Sequence, residues 1–260
     1  MEEIPPNLAR SGAIEIAEKL KLISGGKILD IATGDGGSLQ FLIDFLKDYE
    51  TAIGIDNDEN ELKKSQERFK EKPVVLKVMN GEKLDFPDNT FDLVSMAFSM
   101  HHLQKLFETL NEMKRVLKNG GYIMIQEMFS DAYQTDAQKN DTAVHEFGAE
   151  IDRMEGKYHR KEYTKDEILN ILSQVELKDL EIFESSKYVK CLRCEERYDC
   201  DDPKHPPTIK STLEDIDKAL ESIKEHKKYS DLKERAETIK QKIKKHGIAS
   251  TSILFCIGRK

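Results

Sequence analysis

Lys27-Ile28-Leu29-Asp30-Ile31-Ala32-Thr33-Gly34-Asp35-Gly36-Gly37-Ser38 is the stretch on which the fold of this 260-residue chain turns. An apolar run meets an acid, passes through a glycine-rich turn, and opens into Leu39, Leu42, Ile43 and Leu46 at helical spacing. A strand, a tight loop and a helix N-terminus in that order let backbone approach a nucleotide-like ligand. Gly34 and Gly36 can adopt positive φ and leave no side chain in the ligand's way. An ordinary βα turn uses glycine in the same manner, so the loop is read with its neighbours.

A second run, Thr51-Ala52-Ile53-Gly54-Ile55-Asp56, also ends in an acid, one βα unit further on. An acid at the tip of the second strand of a doubly wound sheet grips ribose hydroxyls. Val74 to Met79 has the pattern of a buried strand and leads to Asn80-Gly81-Glu82; Phe91 to Ala97 and Tyr122 to Gln126 are a fourth and a fifth strand. Between them lie helical patterns: one from Ser11 to Ile23, one started by Asn57-Asp58 with Glu61 completing a capping box, and one over Leu103 to Leu117 stopped by Asn119-Gly120-Gly121. Strands alternating with helices make a parallel α/β sheet the economical reading. Further on, Thr142 to Met154 and the segment after Thr164 read as helices, Leu177 to Val189 as a sixth strand and Ser250 to Gly258 as a seventh.

With these residues in hand, the chain resembles the class I S-adenosylmethionine-dependent methyltransferases over roughly residues 25 to 130. Within them it is most similar to the small-molecule type of ubiquinone and menaquinone biosynthesis. The resemblance implies a Rossmann-like seven-stranded sheet whose last strand is antiparallel and inserts between the fifth and sixth. It implies S-adenosylmethionine as cofactor and a small-molecule acceptor. Carried over residue by residue, Asp30 organises the first loop and faces the cofactor's amino group, and Ala32, Gly34 and Gly36 line that loop. Asp56, with Asn57 beside it, takes the ribose hydroxyls; Asn80, Gly81 and Glu82 border the adenine; Ala97 and Phe98 border the methyl region. Two departures stand out. Ala32 occupies a family glycine position, tolerable only with negative φ there, and Asn80 stands where Asp is frequent.

On the acceptor side, His101-His102 match a His-His-Leu stretch of the family and are candidates for a general base. His145, His159 and Arg160 are candidate substrate residues, because they follow strand five. Cys191, Cys194, Cys200 and His205 form a compact set with ligand chemistry for Zn²⁺, a structural ion if all four bind. Ordinary reduced thiols are the alternative.

The expected organisation is a methyltransferase domain of residues 1–189 plus 248–260. Residues 190–247 are an insertion that ends in two amphipathic helices, with stripes at Ile209, Leu213, Ile216, Leu220 and Ile223, then Leu232, Ala236, Ile239 and Ile243. This helical hairpin lids the acceptor pocket, packs on its own domain or pairs with a second subunit as a homodimer. A net charge of −8 argues against wholesale nucleic-acid binding. No apolar run has bilayer-spanning length, no signal-peptide pattern opens the chain, and the four cysteines show no disulfide framework, which together suggest the cytoplasm.

Three rival functions keep distinct signatures. A dinucleotide oxidoreductase is disfavoured by Asp30 where pyrophosphate would approach. An RNA or protein methyltransferase would use Lys240-Gln241-Lys242-Ile243-Lys244-Lys245 for docking, but Ser95-Met96-Ala97-Phe98 lacks the Asn/Asp-Pro-Pro-aromatic motif of amino-group methylation. A non-catalytic cofactor-binding scaffold would share the loop without turnover.

Overall fold

The computed structural model describes residues 13–185 and 202–260. Through the first half, helices and strands alternate as their periodicities dictate: α1 (Ala13–Leu20), β1 (Lys27–Ile31), α2 (Gly37–Phe45), β2 (Thr51–Asp56), α3 (Glu59–Arg68), β3 (Val74–Val78), β4 (Phe91–Ala97), α4 (Leu106–Val116) and β5 (Leu117–Met128). There follow α5 (Asp136–Met154), α6 (Lys165–Val175), β6 (Lys178–Ser185), α7 (Pro206–Ser222), α8 (Tyr229–His246) and β7 (Ile253–Arg259). The described strands form one seven-stranded sheet in the order β3-β2-β1-β4-β5-β7-β6. The β1–β2, β1–β4, β2–β3 and β4–β5 pairs are parallel. The last strand runs antiparallel: Lys260, just past its end, exchanges backbone hydrogen bonds with Gly120 and Gly121 near the start of β5. This is the Rossmann-like architecture expected from the sequence.

The central strands carry the core. Ile28, Leu29, Leu93, Val94, Ile123 and Phe255 are almost fully buried, and Leu20, Leu39 and Leu42 of α1 and α2 share a core with Ile28, Leu93 and Phe255. β3 departs from its expected burial. Val75 is 47% and Val78 59% exposed, because β3 ends the sheet and has a neighbour on one side only. The α4–β5 junction is also tighter than the glycines suggest. The helix stops at Val116 and pairing resumes at once with Phe91 opposite Leu117. The register then slips so that Leu93 faces Tyr122, leaving Asn119-Gly120-Gly121 as an irregularity inside the strand.

At α3 the Asp58 side chain caps by accepting from the Asn60 N–H at 2.8 Å. α5 begins six residues earlier than its apolar pattern, at a Thr135–Gln138 capping box. Its starting signal is polar, which a search for apolar periodicity passes over.

The chain divides into two compact units. One holds Ile14–Glu127, Asp166–Glu184 and Leu254–Lys260; the other holds Met128–Lys165 and the described part of Ser185–Ile253. This boundary differs from the expected 190–247 insertion, since α5 belongs with the helical hairpin. Phe147 and Ile151 of α5 share an apolar core with Ile216, Leu220 and Ile223 on α7 and Leu232, Ala236, Ile239 and Ile243 on α8. The hairpin stripes therefore close within their own unit.

Candidate functional site

The tips of β1, β2 and β4 build the site in the sheet unit. Asp30 is 1% exposed on β1, and the Ser95 hydroxyl of β4 donates to its Oδ1 at 2.6 Å. Burial pushes its carboxyl up to about 6; the Ser95 and Thr33 hydroxyls pull the other way, and the Asp56 charge adds a smaller upward push.

Above it the chain turns through Ala32 (φ 53°), Gly34 (φ 52°) and Gly36 (φ 81°). The left-handed φ at Ala32 overturns the expectation of a negative value there. An L-residue in this region costs about 1–2 kcal/mol. The Thr33 N–H donating to the Ile55 carbonyl at 2.9 Å helps hold the turn across to β2. Gly34 faces open space, with nothing within 4 Å of where a Cβ would project. Gly36 is hemmed in instead, since a Cβ there would lie 2.4 Å from Phe69 Cε2.

Asp56, half-buried at the tip of β2, locks this loop. Its Oδ2 accepts from the Gly34 N–H and its Oδ1 from the Asp58 N–H, both at 2.9 Å. The Ser65 hydroxyl of α3 reaches the Gly34 carbonyl at 2.7 Å. Asn57 is exposed. Past β3, Asn80 is exposed and its Oδ1 accepts from the Glu82 N–H at 2.9 Å, an Asx-type turn. At Gly81 a Cβ would meet Ile31 Cγ2 at 2.8 Å, so the turn packs directly onto β1.

After β4, Ala97 and Phe98 are half-buried and Phe98 is again left-handed, with φ 52°. Two non-glycine residues held in sparsely populated backbone at neighbouring strand tips mark a site whose shape is imposed by its surroundings. Residues 29–125 match the family described as the methyltransferase domain.

Over that stretch the chain is similar to a methyltransferase domain.

The domain is 37% identical over 119 residues to the ubiquinone/menaquinone biosynthesis C-methyltransferase UbiE of Burkholderia mallei, covering 42% of this chain and 46% of that protein. The same figures hold for the protein of that name in Burkholderia thailandensis. The match thus spans about half the length of these curated relatives. Among solved structures, the MccD protein aligns with a TM-score of 0.56 at 18% identity, covering 95% of this chain and 96% of that one. Phosphoethanolamine N-methyltransferase 2 of Haemonchus contortus aligns with a TM-score of 0.52 at 19% identity, covering 95% and 52%. These likenesses establish the fold.

Of the other expected residues of the methyltransferase domain, His101 is 1% exposed and its Nδ1 lies 3.0 Å from Glu127 Oε1. Glu127, fully buried at the end of β5, also accepts from the Met100 N–H at 2.9 Å. His102 is exposed, its ring stacked at a tilt 4.2 Å from that of His101. Ser95 and Glu127 escaped the sequence reading. Glu127 had a signal, being a third acid closing an apolar strand; Ser95 had none.

His145 and His159 come together in the helical unit, their Nε2 atoms 3.2 Å apart, whereas Arg160 lies over the Tyr163 ring at 3.6 Å. Burial alone would raise the Asp152 carboxyl, but His159 and Lys157 outweigh it and hold it below its ordinary value. Cys191, Cys194 and Cys200 lie outside the described residues. His205, the fourth member of that set, is the N-cap of α7 and its Nδ1 lies 3.0 Å from Thr208 Oγ1.

Proposed function

We propose that this chain transfers a methyl group from S-adenosylmethionine to a small-molecule acceptor. One observation carries the reading: Asp56 clamps Gly34 in a left-handed turn whose outer side is open space. The donor set fits the cofactor. A carboxylate has about four lone-pair sites, so Asp56 can hold two backbone N–H groups and still accept ribose hydroxyls. Asp30 sets negative charge under the loop for a cationic amino group, and its Ser95 partner keeps it oriented.

When bound, the cofactor supplies the electrophilic methyl carbon, so the protein's task is to position and to exclude water. Gly34 admits the ligand to the backbone, and Asn80 can accept one further hydrogen bond at its amide oxygen. Glu127 holds His101 in the Nδ1–H tautomer and pins the Met100 backbone, which makes His101 a positioning residue for the loop after β4. The name of the Burkholderia relatives supports a small-molecule acceptor.

Docking of RNA through the α8 lysines finds less support. Lys240 is buried and paired with Asp217 and Glu237.

Calorimetric titration with S-adenosylmethionine and with S-adenosylhomocysteine tests the reading. Both should bind, and Asp56→Ala should weaken binding by about 1.5–3 kcal/mol, the worth of a charge-assisted hydrogen bond. Wild-type chain that binds neither compound, or Asp56→Ala that binds like wild type, would refute it.

A further inference from the structure

The chain holds two Asn-Gly pairs, Asn80-Gly81 after β3 and Asn119-Gly120 inside β5. Both asparagines are exposed, so solvent reaches either amide. The nitrogens that follow them differ. The Gly120 N–H donates to the Lys260 carbonyl at 3.1 Å, part of the pairing that ties β5 to the residue just past β7. The Gly81 N–H has no hydrogen-bond partner among the described residues.

The turn also places the reacting groups. Asn80 Oδ1 accepts from the Glu82 N–H at 2.9 Å, and the Asn80 main-chain carbonyl accepts from the Lys83 N–H at 3.3 Å. An Asx turn of this kind folds the carboxamide back over the peptide that follows, whose nitrogen belongs to Gly81. The same Glu82 N–H polarises the carboxamide carbonyl and faces the oxyanion that forms when a nucleophile adds to Cγ. Glycine leaves that approach unshielded. No side chain replaces it freely, since a Cβ at 81 would lie 2.8 Å from Ile31 Cγ2. Packing on β1 therefore keeps in place the residue type that leaves the nitrogen bare.

We propose that Asn80 is a site of spontaneous deamidation, whereas Asn119 is protected by its strand pairing. The Gly81 nitrogen gives its proton to hydroxide and attacks Asn80 Cγ. The new C–N bond closes a succinimide ring, the Cγ–Nδ2 bond breaks, and the amide nitrogen takes a proton and leaves as ammonia. Water then opens the ring: cleavage at Cγ gives aspartate, and cleavage at the main-chain carbonyl gives isoaspartate, which adds a carbon to the backbone path. No oxidant or reductant takes part. The chemistry does not depend on the proposed methyl transfer, but its effect on the cofactor rests on that reading, in which Asn80 borders the adenine.

The test holds the purified full chain at mildly alkaline pH and follows both residues by peptide mass spectrometry, with aspartate and isoaspartate products separated by chromatography. Residue 80 should convert at least about tenfold faster than residue 119, the factor that a modest cost of local opening imposes on the paired site. In concentrated urea, where neither turn persists, the two sites should react at similar rates. Asn80→Gln, whose longer side chain does not close this ring, should stop the reaction at 80 and leave 119 unchanged. Equal rates in the folded chain, faster loss at 119, or a residue 80 that does not react would each overturn the proposal. A ratio in urea as large as the native one would overturn it too, because local sequence and not the fold would then set the preference. S-Adenosylhomocysteine should slow residue 80 alone. An unchanged rate beside confirmed deamidation would remove Asn80 from the adenine site and leave the modification standing.

Discussion

Asp30 carries an electrostatic cost of burial in the sheet unit. Its carboxyl titrates at about 6 in the folded chain against 3.8 as the ordinary value, chiefly because burial disfavours the charged form. Between those values the native state holds a proton that the unfolded state has released. Stability therefore falls as pH rises through that window and is level above it, the opposite sign from a salt-bridged acid. The gap amounts to roughly 3 kcal/mol. Urea unfolding of wild type and Asp30→Asn across pH 4 to 7 should show the variant gaining by about that amount relative to wild type as pH rises. A pH-independent difference would show that Asp30 is ionised throughout. Ala32, one residue beyond the strand, makes a smaller and simpler case. Ala32→Gly relieves the left-handed strain but adds chain entropy, so a net gain of up to about 1 kcal/mol is expected in thermal or urea unfolding.

The β1–α2 loop behaves as one element because its glycines answer different demands. Gly34 leaves room for a ligand, whereas Gly36 leaves room for Phe69, which α3 delivers from the other side. Gly36→Ala should destabilise by about 2–5 kcal/mol, the sum of left-handed strain and overpacking. Phe69→Leu in the same chain should recover part of that loss, and a double-mutant cycle in urea measures the coupling. Additive effects would show that Phe69 does not limit this turn.

Across the two compact units, the apolar cores are distinct in composition and can be perturbed one at a time. Ile243 is fully buried on α8 within the core shared by α5, α7 and α8. Ile243→Ala should cost about 2–5 kcal/mol. Hydrogen exchange is expected to quicken in those three helices while amides of β1 and β4 keep their protection. Equal loss in both would mean that the units unfold as one.

Much of this was legible in the chain. The alternation of periods placed β1, β2, β4 and β5, and the acids Asp30 and Asp56 closing apolar runs marked the strand tips, because hydrophobic period and turn chemistry are local properties. The order of elements, the doubly wound sheet and the glycine loop follow from such signals. What folding alone settled joins residues far apart. Ser95 meets Asp30 across 65 positions, and Glu127 meets His101 across 26. The exposure of β3, the left-handed turn at Ala32, the union of α5 with the hairpin and the facing nitrogens of His145 and His159 are of the same kind. Each depends on which surfaces come together in space, and no window of neighbouring residues contains that information.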